Sequence, residues 1–192
     1  RTEEKAAEAL ASLGVNGTPL ACELSDLSAV RAAVQTVQDI GRDLDGIMAN
    51  AGIMALPSLQ QRSGIELQFF TNHIGHFALI TGLIEQLTDT GRVVVLSSGA
   101  HHYSRESGLE LDNLSGERDY HPWRMYGRSK LANIMFASAL ARRFAGSGRT
   151  ANSVHPGVIQ TNLGRHVPDA EGMYAKMTLK TVEQGAATQC YV

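Results

Sequence analysis

Short apolar runs that close on small or polar residues alternate, along this chain, with longer segments of helical composition. Residues 20–22 (Leu-Ala-Cys), 46–49 (Gly-Ile-Met-Ala), 92–96 (Arg-Val-Val-Val-Leu) and 150–154 (Thr-Ala-Asn-Ser-Val) read as strands. Residues 2–12, rich in Glu, Lys and Ala, read as a helix, as do 27–40, about 65–87, 123–144, and 182 onward. Ser25 or Asp26 is placed to cap the second of these, and Gly75 and Gly82 interrupt the third. Strands separated by helices run parallel, and a parallel sheet needs cover on both faces. The expected fold is therefore α/β, a doubly wound parallel sheet in a single domain.

Composition narrows the class. A chain of 192 residues with 43% hydrophobic content can bury one sizeable core. A net charge of −2 offers no basic surface for a nucleic acid. No run approaches the ~18 apolar residues of a membrane helix, and no signal peptide opens the chain. Two cysteines, Cys22 and Cys190, are too few for a disulfide framework and sit among apolar neighbours. Free thiols in a reducing, cytoplasmic compartment follow as the expectation.

Within the helical stretch 123–144 stand Tyr126 and Lys130. Positions i and i+4 share a helix face, roughly 6 Å apart along the axis. A phenol of pKa about 10 is a poor proton donor or base near neutrality. A cation held over it stabilises the tyrosinate and brings it toward the working range. Alone, the pair is more often a buried ring beside a solvated amine.

Its company changes that reading. Asn50, Ala51 and Gly52 follow the 46–49 run, Ser97 and Ser98 close the 92–96 run, and His155, Pro156, Gly157 and Val158 follow the last. Asn72 lies in the helical stretch between the first two. In this order the set resembles the short-chain dehydrogenase/reductase family. The wording of residues 72–77, 97–102 and 129–133 is most similar to its retinol-dehydrogenase-like branch and bacterial relatives. The resemblance covers nearly the whole chain, and it implies a Rossmann-type domain that binds NAD(P) and an oxidoreductase acting between an alcohol and a carbonyl.

The resemblance also implies roles. Tyr126 is the general acid for carbonyl reduction and the base in reverse. Lys130 lowers the tyrosine's pKa and holds the nicotinamide ribose. Ser98, the second of its pair, donates to the substrate oxygen as charge develops there. Asn72 anchors a water that links Lys130 to solvent, besides any structural tie it makes. Asn50, Ala51 and Gly52 line the adenine-ribose side, with Gly52 allowing close backbone approach. Pro156, Gly157, Val158 and Thr161 pass the nicotinamide. Glu23, with Leu24, stands where the family usually carries an Asp against the adenine, a departure that adds a methylene. Arg1 is placed to pair with a 2′-phosphate, which favours NADP, with NAD the other choice.

The family's Gly-rich turn, where backbone and a helix N-terminus receive a pyrophosphate, is not in this sequence. The domain is expected to be incomplete at both ends, to stop before the substrate-covering segment, and to leave its strands unable to form one continuous sheet. Histidines 73, 76, 101, 102 and 155 lack the carboxylate or Cys of a metal set and read as packing or capping groups. Tyr103, Leu109, Leu111 and Leu114 in the 99–120 loop either floor an apolar pocket or pack the loop. Members of the family commonly pair through the helices bearing Asn72 and Tyr126, so a homo-oligomer is one expectation. Two other functions compete: a nucleotide-sugar epimerase or dehydratase, which shares Tyr-x-x-x-Lys, and a non-catalytic binding module. A hydrolase has no Gly-x-Ser-x-Gly elbow here.

Overall fold

The computed structural model describes residues 2–104 and 106–192. Its sheet has three parallel strands, β1 (Leu44–Ala49), β4 (Leu87–Leu96) and β5 (Thr150–Val154), in the order β1-β4-β5. The register pairs Ile47 with Val93 and Val93 with Ala151. Val93, Val94 and Val95 of β4 are wholly buried. A central parallel strand is covered on both faces, which is why its sequence shows no alternation. β1, by contrast, alternates: Ile47 and Ala49 are buried while Met48 is 48% exposed. Among the described residues nothing pairs with the outer edge of β1.

Three of the four anticipated strands make the sheet and the segment at 20–22 stays outside it, so the four do not join in one continuous sheet, as expected. The fourth, at residues 20–22, does not form. A strand exists only through its ladder partners, and among the described residues this segment has none.

The helices follow their signals. α1 (Glu3–Leu13) is capped by Thr2 and buries no residue. α2 (Leu27–Ile40) begins at Asp26, whose carboxylate accepts from the Ser28 N–H at 2.8 Å, and ends at Gly41 in the left-handed region. α5 (Pro122–Arg143) has Pro at its first position, where the missing N–H costs nothing. No helix among the described residues is long and apolar enough to cross a membrane. Ile80, Leu83, Phe136, Ala137 and Leu140 pack on Ile47, Val93 and Val95 as the main core. Each such fully buried side chain contributes about 1.5–3 kcal/mol.

The segment 65–87 departs most from a single helix. A hairpin of β2 (Gln61–Arg62) and β3 (Ile65–Glu66) turns at Ser63 and Gly64, both with positive φ. α3 (Leu67–Phe69) opens under the Glu66 carboxylate, which accepts from the Phe69 N–H at 2.8 Å. A π turn over Phe70–Ile74 follows, then α4 (Gly75–Leu83) and a 3₁₀ turn. The π turn adds one residue to the helical winding and re-aims Asn72 toward β1. Two helices, α6 (Ala170–Ala175) and α7 (Val182–Tyr191), complete the chain.

Candidate functional site

The carboxyl ends of all three strands open on one cavity of about 760 Å³. This is where ligands bind in open parallel sheets. Asn50 and Gly52 enter it after β1, Ser97 and Ser98 after β4, and His155 to Val158 after β5. Tyr126 and Lys130 reach it from α5.

Tyr126 is 4% exposed and is packed by Met54, Ala55 and Trp123, the indole standing edge-on to its ring at 6.2 Å. Burial pushes the hydroxyl up to about 12, against the pull of a hydrogen bond with the Ser98 side chain. The Lys130 ammonium lies 5.5 Å from the ring centroid and donates to the Leu96 carbonyl at 3.1 Å. Burial pulls it down to about 8. From spacing alone the cation is expected to lower the phenol. Here desolvation prevails, and the phenol stays protonated near neutrality.

The two serines part company. Ser97 is buried, donating its hydroxyl to the Lys130 carbonyl at 2.9 Å. Ser98 is half-buried at the cavity wall and accepts from the Ala100 N–H at 3.2 Å. Its own proton is available to a ligand or to Tyr126.

Asn72 is fully buried. Its amide grips Ile53 at both backbone atoms, accepting from N–H and donating to C=O at 2.9 Å each, and also donates to Ser129 Oγ at 3.0 Å. The side chain therefore ties the π turn to the segment after β1. Gly52 fits beside it: a Cβ there would stand 3.0 Å from Asn72 Oδ1 and 3.9 Å from Lys130 Nζ. Only a residue without a side chain leaves that approach open.

Of the remaining cofactor candidates, Asn50, Gly52, Pro156, Gly157 and Val158 line the cavity. Ala51 and Thr161 are exposed outside its wall, and Thr161 caps the 3₁₀ turn Asn162–His166. The Glu23 carboxylate accepts from the Ser25 N–H and hydroxyl, at 3.1 and 2.9 Å. Leu24 is buried, its carbonyl pressed on α4 at Gly75. Arg1 lies outside the described residues.

Other parts of the wall escaped the sequence reading. Ile159, Leu163, Met173, Tyr174 and Met177 close one side. Trp123 and Tyr103 close another, while Leu109, Leu111 and Leu114 stay outside the wall and Leu111 is 72% exposed. His155, read as a cap, faces the cavity, and its basicity is lowered by burial, Lys180 and His101. Alternation of apolar and polar residues could not separate these from ordinary packing. No group of three or more His, Cys, Asp or Glu residues able to hold a metal exists among the described residues.

Comparison with known proteins bears on the family and the fold. The family model described as enoyl-(acyl carrier protein) reductase matches residues 1–191. The short-chain dehydrogenase TIC 32 A, chloroplastic, of Brassica napus is 38% identical over 185 residues, 90% of this chain and 58% of that protein. Human retinol dehydrogenase 14 is 38% identical over 178 residues, 88% of this chain and 52% of its own length. The chain thus spans a little over half the length of these two curated relatives. A solved but uncharacterised protein from Mycobacterium paratuberculosis superposes with a TM-score of 0.70 at 38% identity, over 93% of this chain and 65% of that one. A short-chain dehydrogenase from Burkholderia cenocepacia, solved with NADP, reaches 0.72 at 22% identity, over 96% of this chain and 72% of that one. At that identity the likeness concerns the fold. A parallel sheet whose strand ends gather a Tyr, a Lys and a Ser, joined to a match along 191 residues, places this chain in the short-chain dehydrogenase/reductase family.

Proposed function

We propose that the protein is an oxidoreductase that moves a hydride between a nicotinamide cofactor and the carbon of an apolar carbonyl or alcohol. The observation that carries this reading is the meeting of Tyr126, Ser98 and Lys130 on one wall of a cavity otherwise lined by Met54, Trp123, Leu163 and Met173. The cofactor is NADP, with NAD the other choice. Proteins of this fold have been solved with NADP, NADPH and NADH. The nicotinamide half would be held along Pro156, Gly157 and Val158 on the cavity wall, with Asn50 and Gly52 toward the adenine ribose. When bound, it supplies the hydride to the carbonyl carbon.

The protein supplies the proton and the geometry. Ser98 donates a hydrogen bond to the carbonyl oxygen, which gains charge as the carbon is reduced. The Tyr126 O–H breaks and its proton passes to that oxygen, giving the alcohol and a tyrosinate. Lys130 then faces an anion instead of a neutral ring, and its charge favours the product side of the transfer. One of its N–H groups rests on Leu96, which leaves two for the ribose of the cofactor. Asn72 holds the Ile53 backbone and so fixes the Gly52 approach. The low dielectric of the site strengthens each of these interactions. A homo-oligomer through α4 and α5 is part of the same proposal, since Phe77 and Met135 on those helices are 46% and 52% exposed.

The test is NADPH oxidation with a long-chain aldehyde in the full chain, wild type against Tyr126→Phe. Turnover that falls about 10²–10⁴-fold in the variant is expected for a lost proton donor. Equal turnover in both would sink the assignment.

A further inference from the structure

The four residues given a part in proton transfer stand on or next to three elements: the π turn (Asn72), the end of β4 (Ser98, two residues beyond it) and α5 (Tyr126 and Lys130). One side chain joins all three. Asn133, 1% exposed and three residues beyond Lys130 on α5, donates its amide nitrogen to the Leu96 carbonyl at 2.9 Å and to the Asn72 carbonyl at 3.1 Å. Leu96 is the last residue of β4, and its carbonyl is the one that also receives Lys130 Nζ.

The orientation of this amide follows from chemistry. Carbonyl oxygens accept and never donate, so the two contacts require the NH₂ end of Asn133. Its Oδ1 then faces His73 Nδ1 at 3.0 Å and can only accept. His73 must therefore carry its proton on Nδ1. Burial lowers the basicity of His73, which favours the neutral ring, and the ring is wedged edge-on to Phe136 at 6.0 Å and beside Phe69 at 5.3 Å. The second acceptor, Asn72 C=O, takes a further bond from His76 Nδ1 at 3.0 Å.

A carbonyl oxygen offers two lone pairs. On Leu96 one is taken by Asn133 and the other by Lys130, so neither donor can drift across the oxygen. We infer that Asn133 is a positioning residue, oriented by His73, which fixes the Leu96 carbonyl to accept a single Lys130 N–H and thereby aims the other two into the cavity. The inference rests on the oxidoreductase reading for its catalytic consequence, but the placement of Lys130 can be read without turnover. The titratable groups around Lys130 are Tyr126 on its own helix, His76 on α4, and His155 at the end of β5 across the same cavity.

The experiment uses the full chain with NADPH and a long-chain aldehyde, together with NMR titration of the lysine side-chain amines, Lys130 being assigned by Lys130→Arg. In Asn133→Asp an acceptor replaces the donor. Its carboxylate shares the surroundings of the Leu96 oxygen with the ammonium. The expected result is a Lys130 titration moved upward by at least half a pH unit, the corresponding limb of the kcat profile moved the same way, and kcat reduced at least tenfold with KM for the aldehyde changed less than threefold. His73→Leu, which disturbs the amide from outside, is expected to lose kcat as well, and His73→Asn, which returns a donor at the Nδ1 position, to recover most of that loss. If Asn133→Asp does not fold, the His73 pair and the Lys130 titration in it decide the matter alone. An unmoved titration in the folded variants, or His73→Leu and His73→Asn behaving alike, overturns the inference. Loss of all turnover in the wild type, with the titration still shifting, instead overturns the oxidoreductase reading and leaves the placement of Lys130 standing.

Discussion

Lys130 holds its charge where water cannot solvate it, and that has a measurable consequence for stability. Burial takes the amine from 10.5 to about 8. Between those values the unfolded chain binds more protons than the folded one, so stability rises with pH across the window. Tyr126, raised from 10 to about 12, acts with the opposite sign above pH 10. The Cys22 thiol, raised by burial from 9.0, acts in the same opposite sense above pH 9, so the lysine's effect is cleanest between pH 8 and 9. At pH 7 the buried charge is a net cost, partly offset by its bond to Leu96. Lys130→Met is expected to abolish turnover yet stabilise the ligand-free protein by about 1–2 kcal/mol at pH 7. That gain should shrink as thermal melts are repeated toward pH 10. Trp123, edge-on to Tyr126, forms part of the apolar wall. Trp123→Ala should raise KM for bulky aldehydes about tenfold or more while short aldehydes change little, which steady-state kinetics on a chain-length series will read.

At the level of elements, α5 comes closest to its neighbours at Gly127, immediately after the tyrosine. A Cβ there would stand 2.3 Å from the Ala100 carbonyl oxygen and 3.2 Å from Tyr103 Cβ. Gly127→Ala must push the 3₁₀ turn Gly99–Ser104 away from the helix, and the turn follows directly on Ser98. The expected cost is about 1–3 kcal/mol in denaturant melts, with turnover lost beyond what the stability change explains. α2, α5, β4 and β5 were legible because each carries a local signal: an Asp cap, a Pro at the first turn, β-branched runs. Tyr126 and Lys130 were legible as a pair by their helical spacing, whereas Ser98 was singled out only by the family resemblance. The π turn at Asn72 was not, because its extra residue is selected by the Ile53 and Asn133 bonds, which join residues far apart in sequence. The absent strand at residues 20–22 had the right composition and lacked a partner. The Ser63-Gly64 turn was legible in principle, since that dipeptide marks a turn, but the apolar run after it masked the hairpin.

On the scale of the whole molecule, the exposed Phe77 meets the aromatic cluster of Phe136 and His73, and Met135 is exposed on α5 as well. If copies pair there, Phe77→Glu combined with Met135→Glu should convert the assembly to monomers in sedimentation velocity while the folded monomer persists. The parts of the cavity are distributed unevenly along the chain. The groups proposed to move a proton come from α5 and the turn after β4, whereas much of the apolar side comes from a late stretch, residues 159–177. That stretch holds Leu163, Met173, Tyr174 and Met177 and none of the residues that would move a proton. On the proposed reading, Trp123 and Met54 apart, appetite and chemistry are written in separate passages of one chain. Exchange of this single passage between relatives would redirect the same reaction to new molecules, a route by which one lineage could diversify without relearning how to catalyse.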